Sequence, residues 1–564
     1  MKIAIAQVNT IIGDFKHNFD RIIYFANKAK GFLCDLIVFQ ELVVTGYPPH
    51  DLLEKKDFVD ASLAWLDKLV SSIDGIGVVC GFVDKNPNDE GKPLYNAAAL
   101  FEDGKILHKA YKRLLPTYDV FDERRYFEPG RSFEAFPYKG RRVGLTICED
   151  VWNDKNFFRK RIYNVDPLSL MIKDGADLII NISSSIFHAG KMEFRWKMLG
   201  ALSEKYSVPI IYANQVGGND SFLFDGISTV FDRNGKVIAR GRDFKEDFIV
   251  CDLKAAEASD DIHPVSGSET ESLLKALIMG TRDYVKKCGF SKVIVGLSGG
   301  IDSALTAYIA VMALGPENVM AVFMPSQYTS GENSEDTKEL AKNIGIDLMR
   351  IPINGIFKEF LKFLSPSFDE SDPGITEQNI QARIRSTILM ALSNRHGSLL
   401  LSTGNKSELA VGYCTLYGDM SGGLAVISDV SKTLVYELAR YINTDKEYIP
   451  KRIIEKAPSA ELKPGQLDQD DLPPYEILDS ILKGYIEDFK SVEELVDMGF
   501  DKKLVKDIIS RIDRNEYKRH QAAPCLKVTS KAFGYGRRYS IAKKISPYIL
   551  PSPKIKLQAI FSRP

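Results

Sequence analysis

A chain of 564 residues is too long for one hydrophobic core, since single cores stop growing near ~250–300 residues, and we expect two large domains. Hydrophobic residues at 45% and charged residues at 26% are ordinary for a water-soluble globular protein. A net charge of -1 excludes a strong overall attraction to nucleic acid or to an anionic membrane, so neither is a predicted partner.

The cysteines and the start of the chain bear on where the protein works. The seven cysteines are widely spaced and include no CxxC pair, so a zinc site and a thioredoxin-like redox motif have no support. A sparse, odd number of cysteines favours a reducing compartment. The first residues, MKIAIAQVNTIIGD, lack the apolar block of a signal peptide, and no apolar run approaches the ~20 residues of a membrane span. We therefore predict a cytoplasmic protein.

The first half of the chain alternates short strands with helices. Strands are predicted for the apolar, mostly β-branched runs at residues 3–8, 36–39, 78–83, 143–147, 178–182 and 210–213. Two hairpins are expected, around Asp103-Gly104 and around Asn234-Gly235, because such pairs accept the positive φ of a tight turn. This mixture predicts a layered α/β domain over residues 1–253, with antiparallel pairs in its sheets.

A polar stretch separates this domain from a more regular second half. Residues 254–272 are acidic and poor in large apolar side chains, which predicts an interdomain linker. Strands are then predicted at residues 293–297, 319–324, 348–353 and 399–402, and helices at 303–314, 335–344 and 378–394. This alternation predicts a doubly wound parallel sheet, with sites at the carboxyl ends of its strands, in a domain over residues 273–564. The tail of that domain is predicted to be helical and charged, with a Gly- and Arg-rich part at 534–538 that is suited to docking on another surface.

Three reactive side chains follow predicted strands of the first domain. Cys148 stands at the end of one strand, Glu41 follows another, and Lys112 follows the second strand of the first hairpin. In these positions Glu41 could accept the thiol proton, while Lys112 could stabilise the thiolate and a developing oxyanion, aided by backbone N–H groups near Cys148. Position alone leaves a second interpretation open, because a lone cysteine after a strand is more often a core residue.

The segments around these residues resemble the nitrilase superfamily, whose nucleophilic triad is Glu–Lys–Cys in that chain order. The matching segments are FQELVVTGYPPHDLL, KRLLPTYDVFDERRYFEPG and GLTICEDVW, and the second is similar to the glutaminase domain of NAD synthetases. The resemblance spans about residues 1–250 and implies an αββα sandwich in which Cys148 attacks a side-chain amide. It also implies Glu123 as a second acid near the nucleophile. The residues at positions that hold glutamine in the family are Tyr47, Tyr118, Phe121, Ser185 and Lys191.

A strand, a tight loop and a helix start follow one another in VIVGLSGGIDS. Gly299 and Gly300 let backbone N–H groups approach a phosphate, and the helix N-terminus adds its positive dipole end. The hydroxyls of Ser298 and Ser303 can donate to the same anion, although the GxxxxGK[ST] pattern of a Walker A loop is absent. Asp302 would be repelled by phosphate unless a cation lay between them, which predicts Mg²⁺. A plain strand–turn–helix corner, with Asp302 as a helix cap, is the alternative interpretation.

The loop resembles that of the N-type ATP pyrophosphatases, which cleave ATP between its α and β phosphates. Three later segments, NIQARIRSTILM, STGNKSELAVGYCTLYGDMSGG and PSAELKPGQLDQDDLPPYEILD, are similar to NAD synthetases, and KAFGYGRR resembles the end of the glutamine-dependent form. The resemblance implies an adenine nucleotide α-hydrolase-like fold with ATP as co-substrate, and it implies Glu408 beside Asp302 on magnesium. The further implied contacts are Thr403, Lys432 and Ser459 for ATP or its leaving pyrophosphate, and Arg383 and Asp419 for deamido-NAD.

Together, the resemblances imply a glutamine-dependent NAD synthetase with two coupled active sites. Glutamine would yield glutamate and ammonia, and the ammonia would convert deamido-NAD into NAD through an acyl-adenylate, with AMP and pyrophosphate as products. One alternative is an enzyme that amidates a different substrate, as GMP synthetase does, although such enzymes usually carry another type of glutaminase. A non-catalytic nucleotide sensor is disfavoured because every proposed catalytic and magnesium side chain is present. The resemblance further implies a homo-oligomer with dimeric synthetase domains, up to an octamer, and a sheltered ammonia passage.

Overall fold

The computed structural model describes residues 1–158, 160–253, 261–365 and 374–543. We call residues 1–253 the N-terminal region and residues 261–543 the C-terminal region. The strands of the N-terminal region are β1 (Lys2–Gln7), β2 (Leu36–Val38), β3 (Gly77–Lys85), β4 (Leu94–Glu102), β5 (Lys105–Tyr111), β6 (Phe136–Tyr138), β7 (Arg141–Ile147), β8 (Leu178–Ser183), β9 (Ile210–Asn214), β10 (Val216–Asn219), β11 (Phe222–Asp225), β12 (Thr229–Phe231), β13 (Val237–Arg240) and β14 (Asp247–Asp252). Its helices are α1 (Phe15–Gly31), α2 (Lys56–Ser72), α3 (Pro167–Lys173) and α4 (Lys191–Tyr206). The predicted strands are thus present within about two residues of their expected bounds.

Two sheets form the centre of the N-terminal region, with the strand orders β14-β1-β2-β3-β4-β5 and β13-β12-β9-β8-β7-β6. Their facing sides share one buried core that includes Ile5, Val38, Leu145 and Ile180. Alternate residues of each strand point the other way, where α1 and α2 cover the first sheet and α3 and α4 cover the second. The predicted αββα sandwich is confirmed.

The N-terminal region contains the two hairpins that were predicted and a third that was not. β4 pairs with β5 and β12 pairs with β13, so both predicted hairpins are present. Asp103 and Gly104 have φ values of 47° and 75°, which is the positive φ that the Asp-Gly pair was expected to accept. The sequence did not single out the hairpin of β10 and β11, which forms its own ribbon outside the two main sheets.

The C-terminal region is built on one parallel sheet. Its strands are β15 (Val293–Leu297), β16 (Val319–Phe323), β17 (Asp347–Arg350), β18 (Leu399–Ser402) and β19 (Leu424–Ala425). Its helices are α5 (Glu269–Lys287), α6 (Ile301–Leu314), α7 (Gly331–Ile344), α8 (Asn354–Leu364), α9 (Ile375–His396), α10 (Lys406–Val411), α11 (Lys432–Ile442), α12 (Lys451–Glu455), α13 (Tyr475–Leu482), α14 (Val492–Asp497), α15 (Lys502–Arg514) and α16 (Glu516–Arg519). None of the helices in the described residues is both long and apolar enough to cross a membrane.

The order of this sheet is β17-β16-β15-β18-β19, and all neighbouring strands are parallel. Val293, Val295 and Leu297 face the core with α5, α6 and α11, whereas Ile294 faces the core with α8 and α9. Both faces are therefore covered, and the predicted doubly wound sheet is confirmed. The strand order reverses between β15 and β18, and ligands of such sheets bind at the carboxyl ends of the strands at that point.

The end of the predicted linker is helical rather than irregular. Its residues 254–260 lie outside the described residues, and α5 begins at Glu269, inside the predicted span. Ser268 caps this helix by accepting a hydrogen bond from the N–H of Glu271. The polar residues at the end of the predicted linker therefore form the start of α5: Ser268 is its cap, and Glu269 and Glu271 lie in its first turn, where acidic side chains stabilise a helix.

The Gly- and Arg-rich segment at residues 531–538 docks on the N-terminal region of its own chain. The Nζ of Lys531 lies 3.0 Å from the carboxylate of Asp119, and Arg538 lies 3.3 Å from Asp122. The surface expected from the sequence is therefore supplied within the same chain, between two oppositely charged segments that are more than four hundred residues apart.

Candidate active sites

Cys148 lies in a strained turn at the end of β7. Its φ of 45° falls in the left-handed region that residues other than glycine rarely adopt. The carboxylate of Asp150 ties the turn down, because it accepts hydrogen bonds from Ile147 N at 3.0 Å and from Arg113 N and Leu114 N at 2.9 Å. Asp150 thereby fastens this turn to the segment that follows β5.

Lys112 joins two carboxylates beside this turn. Its Nζ donates to Glu41 Oε1 and to Glu123 Oε1, each at 2.7 Å, and all three side chains are buried. Glu41 accepts two further hydrogen bonds, from Asn96 Nδ2 at 2.7 Å and from Ser184 N at 2.9 Å. Glu123 Oε2 is buried without a hydrogen-bond partner among the described residues, so it keeps an acceptor available. We call Glu41, Lys112, Glu123 and Cys148 the Cys148 centre.

The charges of this centre act on the thiol. Burial, aided by Glu41 and opposed by Lys112, raises the pKa of Cys148 to about 12, so the resting side chain is a thiol. Burial lowers the pKa of Lys112, but Glu123 and Glu41 outweigh it and hold that pKa well above its ordinary value. The centre thus pairs a neutral thiol with a permanent ammonium, and it needs a base such as Glu41 to make a thiolate.

Two predicted glutamine contacts are tyrosines that touch carboxylates of this site. Tyr47 Oη donates to Glu123 Oε1 at 2.8 Å. Tyr118 Oη lies 3.0 Å from both carboxylate oxygens of Glu149, and the ring of Phe121 lies 5.6 Å from the ring of Tyr118. Burial raises the pKa of Glu149 to about 7. No role was predicted for this residue from the sequence.

The other two predicted contacts lie after β8 and at the start of α4. Ser185 N donates to Asn214 Oδ1 at 3.0 Å, and Lys191 Nζ donates to Ile186 O at 2.7 Å. Burial, helped by a neighbouring arginine, lowers the pKa of Lys191 to about 8. Tyr47 contacts Glu123 of the Cys148 centre, Tyr118 contacts Glu149, the residue after Cys148, and a thiolate at Cys148 would raise the pKa of Lys191.

Several supporting residues of the Cys148 centre escaped the sequence analysis. Glu149 and Asp150 were visible as two acids after the cysteine, but nothing local distinguished their roles. Asn96 and Ser184 come from β4 and from the end of β8, far from Glu41 in the chain. Only the packing of the two sheets against each other shows that Asn96 and Ser184 both donate to Glu41.

The loop between β15 and α6 has the geometry of a phosphate-binding turn. Gly299 has a φ of 84°, and a Cβ there would lie 2.9 Å from the side chain of Asn333, so this position requires glycine. The hydroxyls of Ser298 and Ser303 lie 3.2 Å apart, and Ser303 Oγ donates to Gly300 O at 2.9 Å. The N-terminus of α6 follows directly, at the point where the strand order reverses.

This loop lines a cavity of about 750 Å³, which we call the nucleotide cavity. The predicted ATP, magnesium and deamido-NAD residues that line it are Ser298, Gly300, Asp302, Ser303, Thr403, Glu408, Asp419, Lys432 and Ser459. Gly299 lies between two of these lining residues in the loop.

The predicted deamido-NAD contact Arg383 lies on the outer side of α9. It is exposed outside the lining of the nucleotide cavity, and its Nε donates to Leu416 O at 3.2 Å. Arg385 lines the cavity instead, and burial lowers its pKa to about 10. Residues two positions apart on a helix point about 200° away from each other, so the orientation of α9 determines which arginine enters the cavity.

Carboxylates gather around one lysine in the nucleotide cavity. Lys432 Nζ lies 2.5 Å from Asp302 Oδ2 and 3.3 Å from Glu408 Oε1. Asn405 Nδ2 donates to Asp302 at 3.0 Å, while its Oδ1 caps α10. Burial, opposed by Lys432 and aided by Asp302, raises the pKa of Glu408 to about 8. Neither Asn405 nor Asp468 was predicted as a site residue from the sequence. Asp468 lines the cavity, and burial raises its pKa.

This arrangement fits a divalent cation. Mg²⁺ is usually bound by one or two carboxylates together with substrate phosphates and water. Asp302 and Glu408 offer two carboxylates on either side of Lys432, and burial penalises the charge on Glu408. The described part of the chain has no group of three or more His, Cys, Asp or Glu side chains that could hold a metal ion.

Comparison with known proteins assigns a family to each region. The carbon-nitrogen hydrolase family matches residues 2–261, and the NAD synthase family matches residues 273–522. Residues 262–272, which lie between the two matches, belong to the predicted linker, and the matched segments include both candidate sites.

Relatives of full length share both regions. The glutamine-dependent NAD(+) synthetase of Synechocystis is 46% identical over 555 residues, which cover 97% of this chain and 99% of the relative. The enzyme of the same name from Thermotoga maritima is 44% identical, over 96% of this chain and 99% of its own length. A solved glutamine-dependent NAD+ synthetase from Acinetobacter baumannii, in complex with ADP, is 40% identical and superposes with a TM-score of 0.76 over 97% of this chain and 99% of its own. The chain therefore belongs to the family of glutamine-dependent NAD(+) synthetases.

Proposed function

We propose that this chain hydrolyses glutamine at the Cys148 centre and uses the ammonia to amidate deamido-NAD in the nucleotide cavity, with ATP as co-substrate. One observation carries the proposal: a single chain holds two different sites. In the Cys148 centre a cysteine lies near Lys112, which joins two carboxylates. In the nucleotide cavity the glycine loop lies with Lys432 and the carboxylates of Asp302 and Glu408. Amide hydrolysis alone needs no nucleotide loop, and ATP cleavage alone needs no nucleophilic thiol. Kinship with glutamine-dependent NAD(+) synthetases supports deamido-NAD as the acceptor.

Glu41, Lys112 and Cys148 would perform the first half-reaction. Glu41 accepts the thiol proton, and Sγ attacks the carbon of the glutamine side-chain amide while Lys112 stabilises the oxyanion. Glu41 then gives the proton to the departing ammonia, which leaves a glutamyl thioester. Water, deprotonated by Glu41, attacks that thioester and releases glutamate.

Glu123 would hold this machinery in place and meet the substrate. Its Oε1 accepts from both Lys112 and Tyr47, so it orients the two together. Its unpartnered Oε2 can accept a hydrogen bond from the amide N–H₂ of glutamine. The remaining proposed glutamine contacts are Tyr118, Phe121, Ser185 and Lys191.

The nucleotide cavity would perform the second half-reaction. The nicotinate carboxylate of deamido-NAD attacks the α-phosphate of ATP, so pyrophosphate leaves and an acyl-adenylate forms. Ammonia attacks the acyl carbon, and AMP leaves. Lys432 and the N–H groups of the glycine loop stabilise the negative charge on the departing pyrophosphate. Asp302 and Glu408 would hold Mg²⁺, which neutralises phosphate charge when it is bound.

The remaining contacts of this cavity follow from its walls. Thr403 and Ser459 would contact ATP or pyrophosphate, because both line the nucleotide cavity beside the glycine loop. Asp419 would contact deamido-NAD from the same wall. Arg383 is exposed on α9 and could serve only a nucleotide that extends beyond the cavity of one chain.

The same proposal includes a cytoplasmic homo-oligomer with a sheltered ammonia route, built of paired C-terminal regions and extending up to an octamer. Ammonia in neutral water is mostly protonated and loses its nucleophilicity, so direct transfer preserves it. Ile356, Phe360 and Phe363 form an exposed stripe at helical spacing on α8, and Phe363 is 81% exposed, which supports assembly. The seven unpaired cysteines are compatible with a reducing compartment.

Product analysis tests the proposed function. Protein mixed with glutamine, ATP, Mg²⁺ and deamido-NAD should give glutamate, NAD, AMP and pyrophosphate. Nicotinic acid mononucleotide carries the same carboxylate without the AMP half, and aspartate is an unrelated carboxylate; both serve as control acceptors and should give little product. Amidation of either control in preference to deamido-NAD would overturn the assignment of the acceptor.

A further inference from the structure

The last turn of α5 reaches from the C-terminal region into the N-terminal region. Lys287 Nζ lies within hydrogen-bond distance of four oxygens there, which share its three N–H donors: Asn9 Oδ1 at 2.7 Å, Thr10 O at 2.8 Å, Gly218 O at 2.8 Å and Asn219 Oδ1 at 2.7 Å. None of these acceptors carries a charge. Burial lowers the pKa of Lys287 to about 8, so the group is still an ammonium at neutral pH.

Asn219 links this lysine to the surroundings of the Cys148 centre. An ammonium has only donors, so it can bind an amide only through the amide oxygen. Lys287 therefore fixes the orientation of the Asn219 side chain. The Nδ2 of Asn219 then donates to the main-chain O of Tyr47 at 2.8 Å. Asn219 is only 3% exposed, so water hardly competes for either contact.

Tyr47 carries the contact onward to the catalytic carboxylates. Its hydroxyl donates to Glu123 Oε1 at 2.8 Å, and the same oxygen accepts from Lys112 Nζ at 2.7 Å. Its main-chain O is held by Asn219 and, at 3.4 Å, by Gln215 Nε2. Tyr47 is thus fixed at both ends, and the main-chain end depends on a side chain that Lys287 orients.

We propose that Lys287 is a positioning residue for glutamine hydrolysis, acting through Asn219 and Tyr47 on the carboxylates and lysine of the Cys148 centre. This inference rests on the proposed function, because it assumes that this centre hydrolyses glutamine. α5 also packs against α6, the helix that begins at the glycine loop. One helix therefore supports the ATP-binding loop on one side and orders the glutamine-hydrolysing centre on the other.

A second lysine of α5 offers a matched control. Lys275 Nζ lies 3.4 Å from Asp243 in the N-terminal region and 2.9 Å from Glu271 on its own helix. It thus makes a contact between the same helix and the same region. Its partners lie outside the path that leads through Asn219 to Tyr47.

The test compares Lys287→Met with Lys275→Met in the full-length protein. Lys287→Met should lower kcat/KM for glutamine hydrolysis by about tenfold, because small displacements of catalytic groups are costly. Ammonia-supported NAD synthesis should stay within about twofold of wild type in both variants, and Lys275→Met should also hydrolyse glutamine normally. Lys287→Arg retains charged donors and should recover part of the loss.

A double variant separates positioning from a general loosening of the interface. If Lys287 acts through Asn219, Lys287→Met added to Asn219→Ala should cost no more than Asn219→Ala alone. Losses that multiply would overturn the proposal, and so would wild-type glutamine hydrolysis by Lys287→Met.

Two further outcomes are also decisive. Should Lys287→Met lose ammonia-supported synthesis as well, Asn219→Ala takes its place: a selective loss of glutamine hydrolysis sustains the path, and no loss overturns it. A wild-type protein that does not hydrolyse glutamine at all would instead overturn the proposed function.

Discussion

Each candidate site holds one lysine between two carboxylates, but the carboxylates are enclosed in one site and open to a cavity in the other. In the Cys148 centre, Lys112 lies between Glu41 and Glu123, and all three side chains are buried, so the protein itself encloses both carboxylates. In the nucleotide cavity, Asp302 and Glu408 share Lys432, with Asp468 as a further acid acting on that lysine.

The difference follows from what each site would bind. A neutral amide brings no charge, so the protein alone can complete the Cys148 centre before the substrate arrives. ATP brings several negative charges together with a cation, and the carboxylates of Asp302 and Glu408, 18% and 17% exposed, remain accessible to that cation. Burial is the main cause of the raised pKa of Glu408, about 8, and the neighbouring Asp302 adds to it.

Removing the nucleophile should have the largest effect. We expect Cys148→Ala to lower glutamine-supported NAD synthesis by at least about 10³-fold, because no other group can form the thioester. Ammonia-supported synthesis should be nearly unchanged, as initial rates with each nitrogen source will show. Cys34→Ala is the control: both cysteines are 6% exposed, but Cys34 lies in the core beneath α1 and α2. Glutamine hydrolysis that persists in Cys148→Ala would refute the role of the thiol.

Removing either magnesium carboxylate should affect synthesis from both nitrogen sources. Asp302→Ala and Glu408→Ala should each lower NAD formation by about 10²-fold or more, since each exposes phosphate charge that is no longer neutralised. Glutamine hydrolysis in the same samples, measured without ATP, serves as the control and should persist. AMP formation at a near-normal rate in both variants would exclude the proposed magnesium site.

A labelling experiment asks whether the two sites exchange ammonia directly. Glutamine with ¹⁵N in its amide would be supplied together with an excess of unlabelled ammonium. A sheltered route should give NAD that is roughly several-fold richer in ¹⁵N than the bulk ammonia, because ammonia that escapes into water is protonated and diluted by the unlabelled pool. Equal enrichment of NAD and bulk ammonia would mean that the sites act independently. Cys148→Ala, which should incorporate only bulk ammonia, is the control.

Weakening the proposed contact between chains should change mass more than activity. Light scattering of the wild type should give a multiple of the 63.2 kDa of one chain. Replacing Phe360 and Phe363 by lysine should shift the protein towards smaller species, since it charges the exposed stripe of α8. Phe489→Lys, at a residue that is 68% exposed elsewhere, should leave the mass unchanged. A wild type of single-chain mass would end the homo-oligomer proposal.

Much of the architecture was predictable from local sequence. β-Branched runs gave the strands, and Asp103-Gly104 supplied two residues that accept positive φ, so the hairpin followed. The SGGIDS loop was recognisable because a strand, two glycines and a helix start are contiguous in the chain. Cys148 and Glu41 were noticed because strands precede them, but only the resemblance to the nitrilase superfamily favoured a catalytic role over a place in the core. In each case the physical cause lies within a few residues of the signal.

Contacts between residues that are distant in the chain could be learned only from the packed structure. The rotation of α9 put Arg385 rather than Arg383 into the nucleotide cavity, and packing of the segment at 531–538 against Asp119 gave the tail a partner within its own chain. Lys287 and Asn219 are 68 positions apart, and no local pattern pairs them. Backbone propensity depends on neighbours in sequence, whereas the partner of a buried charge depends on which surfaces the packed core brings together.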